Sequence, residues 1–302
     1  MAGAGAKTAV ASRRRRSLRP PWWFLLPALA FYGFVVLWSS GRGIVYAFTD
    51  WNGLSSTFNW VGFENLQRVF TLNIGTSALR NTVIFAASIM VFQNLFGLLL
   101  ALALHTKVKT RGALRTIFFA PAVLTPLVTG YTWDFLLQPD GTVNTLLRDV
   151  GLGSLAQVWL GDPRFALGAV IVAALWQSTG MSMIIYLAGL QGVPPELMEA
   201  AVLDGAGRVR RLLFVTLPLM NGALVINGLL TLIGGLGQFD LVFAMTKGGP
   251  LHATDTISTV LYTKGFQEGD IPFSSALALV MTVVVSALAI TQYRLTSRQV
   301  ER

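Results

Sequence analysis

Long apolar runs separated by shorter polar segments dominate this sequence. A helix of about 20 apolar residues, rising 1.5 Å per residue, is long enough to cross about 30 Å of hydrocarbon. Runs of this kind predict membrane-spanning helices at residues 22–40, 81–104, 116–137, 165–190, 219–246 and 273–293. The pattern therefore predicts an all-α integral membrane protein with six transmembrane helices, in a domain that covers residues 21–302.

The residues before the first run, 1–20, have a different composition. They are rich in Gly, Ala and Ser and contain the run Arg13-Arg14-Arg15-Arg16. Such a segment cannot bury enough apolar surface to fold, so we predict a disordered basic tail on the cytosolic side. A secretion signal is the alternative interpretation, but no small-residue cleavage site follows the first apolar run, which favours a retained span.

The third apolar run contains two prolines, Pro121 and Pro126. Each proline removes a backbone hydrogen-bond donor, and its ring bends a helix at that point. Such a bend can be a hinge where helices separate, or a static kink that neighbouring helices pack against. The sequence leaves both interpretations open.

One polar interruption, residues 191–218, is composed unlike a slack linker. Pro194 and Pro195 suit the first turn of a helix, where a missing N–H costs nothing, and Glu196 adds negative charge near the positive end of the helix dipole. Gly205 then breaks the helix. The pattern predicts a helix, a tight turn and a second helix, with one face of the first helix formed by Leu197, Ala200, Ala201 and Asp204.

This segment resembles the EAA loop in the membrane subunits of ATP-binding-cassette (ABC) importers, through Glu199-Ala200-Ala201, Asp204-Gly205-Ala206 and Leu217-Pro218. The resemblance implies that the segment is a coupling helix that docks in a cleft of a separate cytosolic ATPase. It also implies that Glu199 meets a basic residue of that ATPase and that Gly205 permits the turn. The coupling residues are thus expected to be Glu199, Ala200, Ala201, Asp204, Gly205, Leu217 and Pro218.

Two positions depart from the family pattern, since Val215 stands where isoleucine is common and Asn221-Gly222 where a further proline is common. Neither position belongs to the expected contact residues. The alternative to the coupling helix is an ordinary amphipathic helix between two spans.

The segments between the other runs resemble sugar permeases of the maltose-transporter type. The similarity lies in Phe48-Thr49-Asp50-Trp51, Phe239-Asp240 and Lys247-Gly248-Gly249-Pro250, and points to the larger of that transporter's two membrane subunits. This chain lacks that subunit's extra spans and large external domain. The resemblance implies a type I ABC importer permease fold and four partners: a second, different permease, two ATP-binding subunits and an extracellular or periplasmic solute-binding protein.

Composition and charge agree with a protein of the cell membrane. The 302 residues are 53% hydrophobic and only 12% charged, with a mean hydropathy of +0.60, which excludes an ordinary soluble domain. If loops alternate between the two sides, the cytosolic side holds most of the Lys and Arg residues, and the other side holds most of the acids. The net charge of +9 therefore predicts orientation, with both termini in the cytoplasm, and not binding to nucleic acid.

Charged side chains are absent from the middle of the predicted spans. A proton-driven pump needs such groups at mid-depth, so an internal proton relay is disfavoured. The sequence has no GxxxxGK[ST] motif for ATP, no cysteine and only two histidines, so we predict no enzyme activity, no metal site and no cofactor in this chain. ATP and Mg²⁺ are expected to bind the partner ATPase.

Uncharged polar residues do occur within the predicted spans. Gln177 and Ser178 share one stripe of the fourth span with Ala174 and Met181. In the fifth span Asn227, Thr231, Gly234 and Gln238 are spaced along one stripe. Such groups suit a neutral polyhydroxyl ligand, so we predict a sugar path lined by Gln177, Ser178, Asn227, Thr231 and Gln238. The alternative is that they bond helices to each other.

The sequence thus predicts the transmembrane permease subunit of an ATP-driven, binding-protein-dependent sugar importer. Two alternatives remain among transporters, a permease for another small polar solute and a stand-alone secondary transporter. A membrane-embedded enzyme is disfavoured because it would need ionisable residues at depth.

Overall fold

The computed structural model describes residues 22–106 and 109–297, and its regular structure is helical. No β-strand occurs among these residues, although an isolated bridge pairs Thr49 with Trp60. In chain order the helices are α1 (Trp23–Tyr46), α2 (Glu64–Thr71), α3 (Asn73–His105), α4 (Arg111–Val123), α5 (Pro126–Leu136), α6 (Thr142–Asp149), α7 (Ala166–Gln191), α8 (Pro195–Leu203), α9 (Arg208–Leu219), α10 (Asn221–Leu236), α11 (Asp240–Met245), α12 (Ile257–Tyr262) and α13 (Ile271–Ser297).

Four of these helices, α1, α3, α7 and α13, are long and apolar enough to cross a membrane. The pairs α4 with α5 and α9 with α10 pass the same test together, each with a sharp bend between its members. Within the described residues there are thus four to six candidate spans, and the predicted all-α membrane fold is confirmed.

The chain divides into two units, Met1–Gly43 and Ile44–Arg302. Among the described residues the first unit consists of the greater part of α1, whose apolar sequence contains a π-helical stretch at Gly33–Trp38. The predicted tail, 1–20, lies outside the described residues. All other helices belong to the second unit.

Clusters of buried apolar side chains hold the second unit together. In lipid the gain comes from van der Waals packing, because lipid tails are as apolar as the side chains themselves. One cluster packs α2, α12 and α13 against the start of α3. Another joins α3, α7 and α11. The cluster nearest α8, here called the inner cluster, contains Ala101, Leu104, Met183, Tyr186, Leu187, Leu190 and Met220.

Helices α3, α7 and α10 approach each other closely at small residues, and we call them the three-helix core. A Cβ added to Gly97 of α3 would lie 2.5 Å from Ser182 Cβ of α7. Similarly, a Cβ on Gly189 of α7 would lie 2.7 Å from Ala223 Cβ of α10. Glycine is therefore required at both contacts for the backbones to come this close.

The third predicted span, 116–137, is two helices at an angle of 96°. Pro121 lies in a 3-10 turn, Ala120–Val123, and Pro126 begins α5 with Thr125 as its N-cap. Proline is well suited to a helix start, where it needs no hydrogen-bond donor. The bend expected at these prolines is present, but it separates two helices where the sequence predicted one.

The fifth predicted span, 219–246, is also interrupted. Helix α10 ends at Leu236, and α11 begins only at Asp240. The residues between them include Gly237, whose high backbone freedom makes the end of a helix there inexpensive. At the other end, α9 and α10 meet at Met220 with a bend of 74°. Apolar periodicity carries no signal for such breaks, so the predicted span was too long.

The remaining predicted spans differ from the helices mainly at their ends. Helix α1 extends past residue 40 to Tyr46, and α13 begins at Ile271 and continues to Ser297. Helix α3 begins at Asn73, ahead of the predicted start at residue 81. Its extra first turns pack into the cluster with α2 and α13 through Ala78. Packing against neighbouring helices thus extends α3 at its N-terminal end, ahead of the start that hydropathy alone predicts.

We expect Gly97→Ala to destabilise the three-helix core, because overpacking a close contact costs about 1–3 kcal/mol. The measurement is the thermal midpoint of the purified protein in detergent. Gly168→Ala on α7 is the matched control, since a Cβ there meets only open space and alanine favours helix. Equal midpoints for the two variants would contradict the packing described here.

Candidate functional site

A cavity of about 250 Å³ lies between the helices of the three-helix core. None of its lining side chains carries a charge. The cavity brings the two predicted polar stripes, on α7 and on α10, to the same space. Its lining consists of Phe85, Ile89, Gln93, Ala174, Gln177, Ser178, Met181, Ile185, Asn227, Leu230, Thr231, Gly234, Gly235 and Gln238.

Two of the predicted path residues, Asn227 and Thr231, are buried and bonded between helices. Asn227 Nδ2 donates to Asn94 Oδ1 at 2.9 Å, and Asn94 Nδ2 donates to Thr231 Oγ1 at 2.8 Å. Ser182 of α7 donates its hydroxyl to Asn227 Oδ1 at 3.2 Å. For these two residues the structure therefore favours the alternative interpretation, in which polar side chains bond helices together.

The other three predicted path residues remain partly accessible. Ser178 donates its hydroxyl to Ala174 O of its own helix, and Gln177 Nε2 donates to Leu124 O at 2.9 Å. The side-chain amide of Gln238 makes no hydrogen bond to the described part of the chain. Among the predicted path residues, the free amide of Gln238 and the carbonyl oxygen of Gln177 are thus groups that can bond a ligand in the cavity.

Sequence reasoning missed four polar residues that meet beside the cavity: Gln93, Asn94, Ser182 and Tyr186. Gln93 Nε2 donates to Ser182 Oγ at 2.9 Å, and Tyr186 donates its hydroxyl to Asn94 Oδ1. A signal was available, because Gln93 and Asn94 are adjacent amides in the middle of an apolar run. Their hydrogen-bond partners could not be predicted, because the sequence does not show how α3 is rotated about its own axis.

The predicted Gly-Gly-Pro segment is tied to the ends of α3 and α10. Asn81 Nδ2 donates to the carbonyl oxygens of His252 and Ala253, both at 3.1 Å. Thr256 donates its hydroxyl to the backbone oxygen of Gln238 at 3.1 Å. The loop therefore holds the position of the cavity residue Gln238.

A close contact between a histidine and an aspartate orders the same loop internally. His252 Nδ1 lies 2.6 Å from Asp255 Oδ2. Burial raises the pKa of the Asp255 carboxyl, and the hydrogen bond with His252 opposes that shift. A side chain at Gly248 would overlap Asp255 Oδ1, so glycine leaves the space that this carboxylate occupies.

The polar segment 191–218 forms the predicted helix, turn and helix. Helix α8 begins at Pro195 with Glu196 in its first turn. Gly205 follows with φ +75°, a left-handed conformation that glycine adopts without strain. Helix α9 then begins at Arg208. Local residue preferences are sufficient to fix this geometry.

Most of the expected coupling residues are exposed. Glu199, Ala200, Asp204, Gly205 and Pro218 are open to the surroundings, and Ala201 is half-buried. Leu217 differs from them, because it packs against the inner cluster.

Helix α8 also exposes apolar side chains. Leu203 is 87% exposed, and Leu197 and Val202 are about half exposed. On its other side, Met198 Sδ accepts a hydrogen bond from Thr216 at 3.6 Å. The helix is therefore fixed on one side and presents a mixed apolar and acidic surface on the other.

Comparison with known proteins gives concordant matches along most of the chain. The sequence pattern of the family described as "binding-protein-dependent transport system inner membrane component" matches residues 93–302. The probable ABC transporter permease YurN of Bacillus subtilis is 33% identical, with 91% of this chain and 94% of the relative covered. The lactose transport system permease LacF of Rhizobium radiobacter is 30% identical over 90% of this chain and 92% of its own length.

A multiple sugar-binding transport system permease, MsmF of Streptococcus mutans, is 29% identical over 92% of this chain and 95% of the relative. Among solved structures, a bacterial ABC transporter for import of the acidic polysaccharide alginate superimposes with a TM-score of 0.79 at 24% identity, covering 91% of this chain and 94% of that chain. The structural match shows a shared fold, the ABC importer permease fold that the sequence predicted.

We expect the cavity to be filled with water in the assembled protein, which a cysteine scan can test because the chain has no cysteine of its own. Met181 lines the cavity and is 49% exposed. A charged, membrane-impermeant thiol reagent should label Met181→Cys rapidly. Met183→Cys, at a fully buried position of the same helix, should stay unlabelled. Absence of labelling at both positions would show that lipid or protein fills the space.

Proposed function

We propose that this chain, which belongs to the family of binding-protein-dependent transport system inner membrane components, is a permease subunit of an ATP-driven sugar importer. As a member of that family it is a multi-pass membrane protein, and its contribution is transport. In the proposed importer it forms part of the path across the cell membrane by alternating access. Both of its termini are on the cytoplasmic side, as the distribution of Lys and Arg predicts.

The cavity of the three-helix core is the observation that carries the choice of a sugar. It offers amide groups of Gln177 and Gln238 and contains no charge. Neutral donors and acceptors suit the hydroxyl groups of a sugar, whereas a charged solute would call for an opposite charge in the path. The names of the lactose and multiple-sugar permeases among its relatives support the same choice.

The energy for transport is supplied by partner subunits. The exposed acidic and apolar surface of α8 provides a docking surface for a cytosolic ATP-binding subunit. In this proposal Glu199, an exposed acid of α8, meets a basic residue of that subunit. Two such subunits bind ATP and Mg²⁺, and this chain binds neither. Movement of the ATPases on closing would be transmitted through α8 to the spans.

Two further partners complete the proposed transporter. A second, different permease supplies the other half of the path, and a solute-binding protein delivers sugar from outside. One crystal structure shows the bacterial alginate ABC transporter in complex with a periplasmic protein that holds an alginate pentasaccharide. A chain of that structure matches the fold of this chain with a TM-score of 0.78. The open side of the cavity is compatible with a path completed by another chain.

Two alternative functions remain distinct in their consequences. A permease for another small polar solute would share every partner but transport a different substrate. A stand-alone secondary transporter would need no ATPase and would leave the exposed surface of α8 without a purpose.

Affinity purification of the tagged protein from native membranes in mild detergent tests the proposal. An ATP-hydrolysing subunit and a second permease should be recovered with the wild type. Recovery of the chain alone, with no ATP hydrolysis in the eluate, would contradict it.

We expect Glu199→Ala and Gly205→Leu to uncouple ATP hydrolysis from sugar uptake while the protein stays in the membrane. The first removes the proposed ionic contact, and the second places a side chain at φ +75°, which costs about 1 kcal/mol or more. Uptake and ATP hydrolysis are measured together in vesicles. Glu196→Ala is the matched control, an exposed acid of the same helix outside the coupling motif. Normal uptake by both test variants would remove the coupling assignment.

We expect Gln238→Leu to lower the uptake rate about two- to tenfold, because one lost hydrogen bond to a ligand is worth about 0.5–1.5 kcal/mol. Transport is assayed with saturating binding protein, so that the permease step is observed. Gln67→Leu, at an exposed position of α2, controls for loss of an amide elsewhere. An unchanged rate for Gln238→Leu would exclude the amide from the path.

A further inference from the structure

Asn94 lies at the centre of the three-helix core, and its side-chain amide is fully used. Its Nδ2 donates to Met90 O at 2.6 Å and to Thr231 Oγ1 at 2.8 Å. Its Oδ1 accepts from Asn227 Nδ2 at 2.9 Å and from the hydroxyl of Tyr186. One residue of α3 thereby bonds directly to both α7 and α10. An amide has two donors and two acceptor positions, so none is left for a ligand.

The hydrogen bonds continue from Asn227 back to α3. Asn227 Oδ1 accepts from Ser182 Oγ at 3.2 Å, and Ser182 Oγ accepts from Gln93 Nε2 at 2.9 Å. Gln93 Nε2 also donates to the backbone oxygen of Ser178 at 3.1 Å. Five of the six members are buried, and Asn94 itself is partly exposed. We call this set the Asn94 network, consisting of Gln93, Asn94, Ser182, Tyr186, Asn227 and Thr231.

The network lies between two regions with different roles. Gln93, Asn227 and Thr231 line the cavity, whereas Tyr186 belongs to the inner cluster. Leu217 packs against that cluster, and its neighbour Thr216 bonds to Met198 of α8. Any displacement passed from α8 through the inner cluster to the cavity wall therefore reaches these hydrogen bonds.

The backbone of α3 is irregular at the same place. The turn before Asn94, Ile89–Gln93, is π-helical, and Asn94 Nδ2 bonds to a carbonyl oxygen of that turn. Single π-helical turns inside α-helices are frequent at functional sites. Close to the network, Gly97 allows α3 to contact α7 at Ser182. The backbone of α3 thus departs from a regular α-helix at the two adjacent amide residues of the network, Gln93 and Asn94.

We propose that Asn94 is a positioning residue for the transport step, a role that rests on the proposed function. It fixes the spacing of α7 and α10 across the cavity, and hence the distance from Gln177 on α7 to Gln238, which lies two residues beyond the end of α10. In the proposed importer these two side chains contact the sugar. The three-helix core then moves as one body when α8 moves, and the cavity keeps its shape. Without Asn94, ATP is hydrolysed while the cavity no longer holds the sugar in a productive position.

The transport test compares sugar taken up per ATP hydrolysed in the complete transporter reconstituted in liposomes. Asn94→Ala should lower this ratio about tenfold, which corresponds to about 1.4 kcal/mol. Tyr186→Phe removes one of the bonds and should lower the ratio less. Asn227→Ala should resemble Asn94→Ala, and the double variant should be little worse than either, because residues of one network are not additive.

Thr179→Ala on α7 is the matched control, since the Thr179 hydroxyl bonds to Leu175 O of its own helix and to no other helix among the residues that the structure describes. A purely structural role for Asn94 would reduce the amount of assembled transporter but leave uptake per ATP unchanged, and that result would overturn the proposal. If Asn94→Ala fails to assemble, Tyr186→Phe carries the same comparison.

A distance measurement tests the proposal independently of transport. Spin labels at Met181→Cys and Leu230→Cys, two exposed cavity positions on α7 and α10, report the spacing across the cavity in the assembled transporter. The wild-type background and Thr179→Ala should give one narrow distance, and Asn94→Ala a broadened or second one. Identical distributions in all three would overturn the proposal.

The proposed function and the proposed role of Asn94 can fail separately. If the wild-type complex shows no ATP-dependent uptake, the proposed function fails, whatever the distances are. If the wild type transports sugar and Asn94→Ala behaves as Thr179→Ala does in both assays, the importer stands and the role of Asn94 falls.

Discussion

A polar side chain in the membrane interior must find a hydrogen-bond partner in the protein or in enclosed water, because hydrocarbon supplies none. In this chain the partners are uncharged amides and hydroxyls on α3, α7 and α10, and they satisfy each other at Asn94. This requirement fixes how the helices are rotated about their own axes. It also decides which polar groups stay available, since only those without a protein partner, such as the amide of Gln238, can serve a ligand.

The same constraint separates the two tasks of a coupled transporter. Charged groups are placed at the helix ends and in α8, where water or a protein partner can solvate them. The middle of the core is neutral and closely packed, with glycine at the tightest contacts. Between these regions the inner cluster connects Leu217, near the end of the polar segment 191–218, with Tyr186 at the Asn94 network. In the proposed importer, a movement of α8 would pass to the cavity through packed side chains and not through a charge relay.

The sequence was informative where local preferences decide the structure. Pro195, Glu196 and Gly205 were sufficient to predict helix, turn and helix around α8, because caps and turns depend on a few adjacent residues. Helical spacing likewise predicted that Gln177 and Asn227 share a space, since each stripe faces one way. Whether an amide is free or bonded depends on how α3 is rotated, which no local pattern encodes. The role of Asn94 was missed for the same reason. The helix break at Gly237 was missed because the hydropathy pattern continues through it. Which residues act in coupling and in the sugar path remains a prediction.

In the proposed importer, sugar crosses through this chain only when ATP is hydrolysed by a separate subunit. The most direct measurement is labelled-sugar flux into proteoliposomes that contain the chain either alone or with its second permease, ATP-binding subunits and binding protein. We expect sugar flux only in proteoliposomes that contain the complete set of subunits, and only with ATP present. Sugar flux through the chain alone, without ATP, would contradict it and establish a secondary transporter.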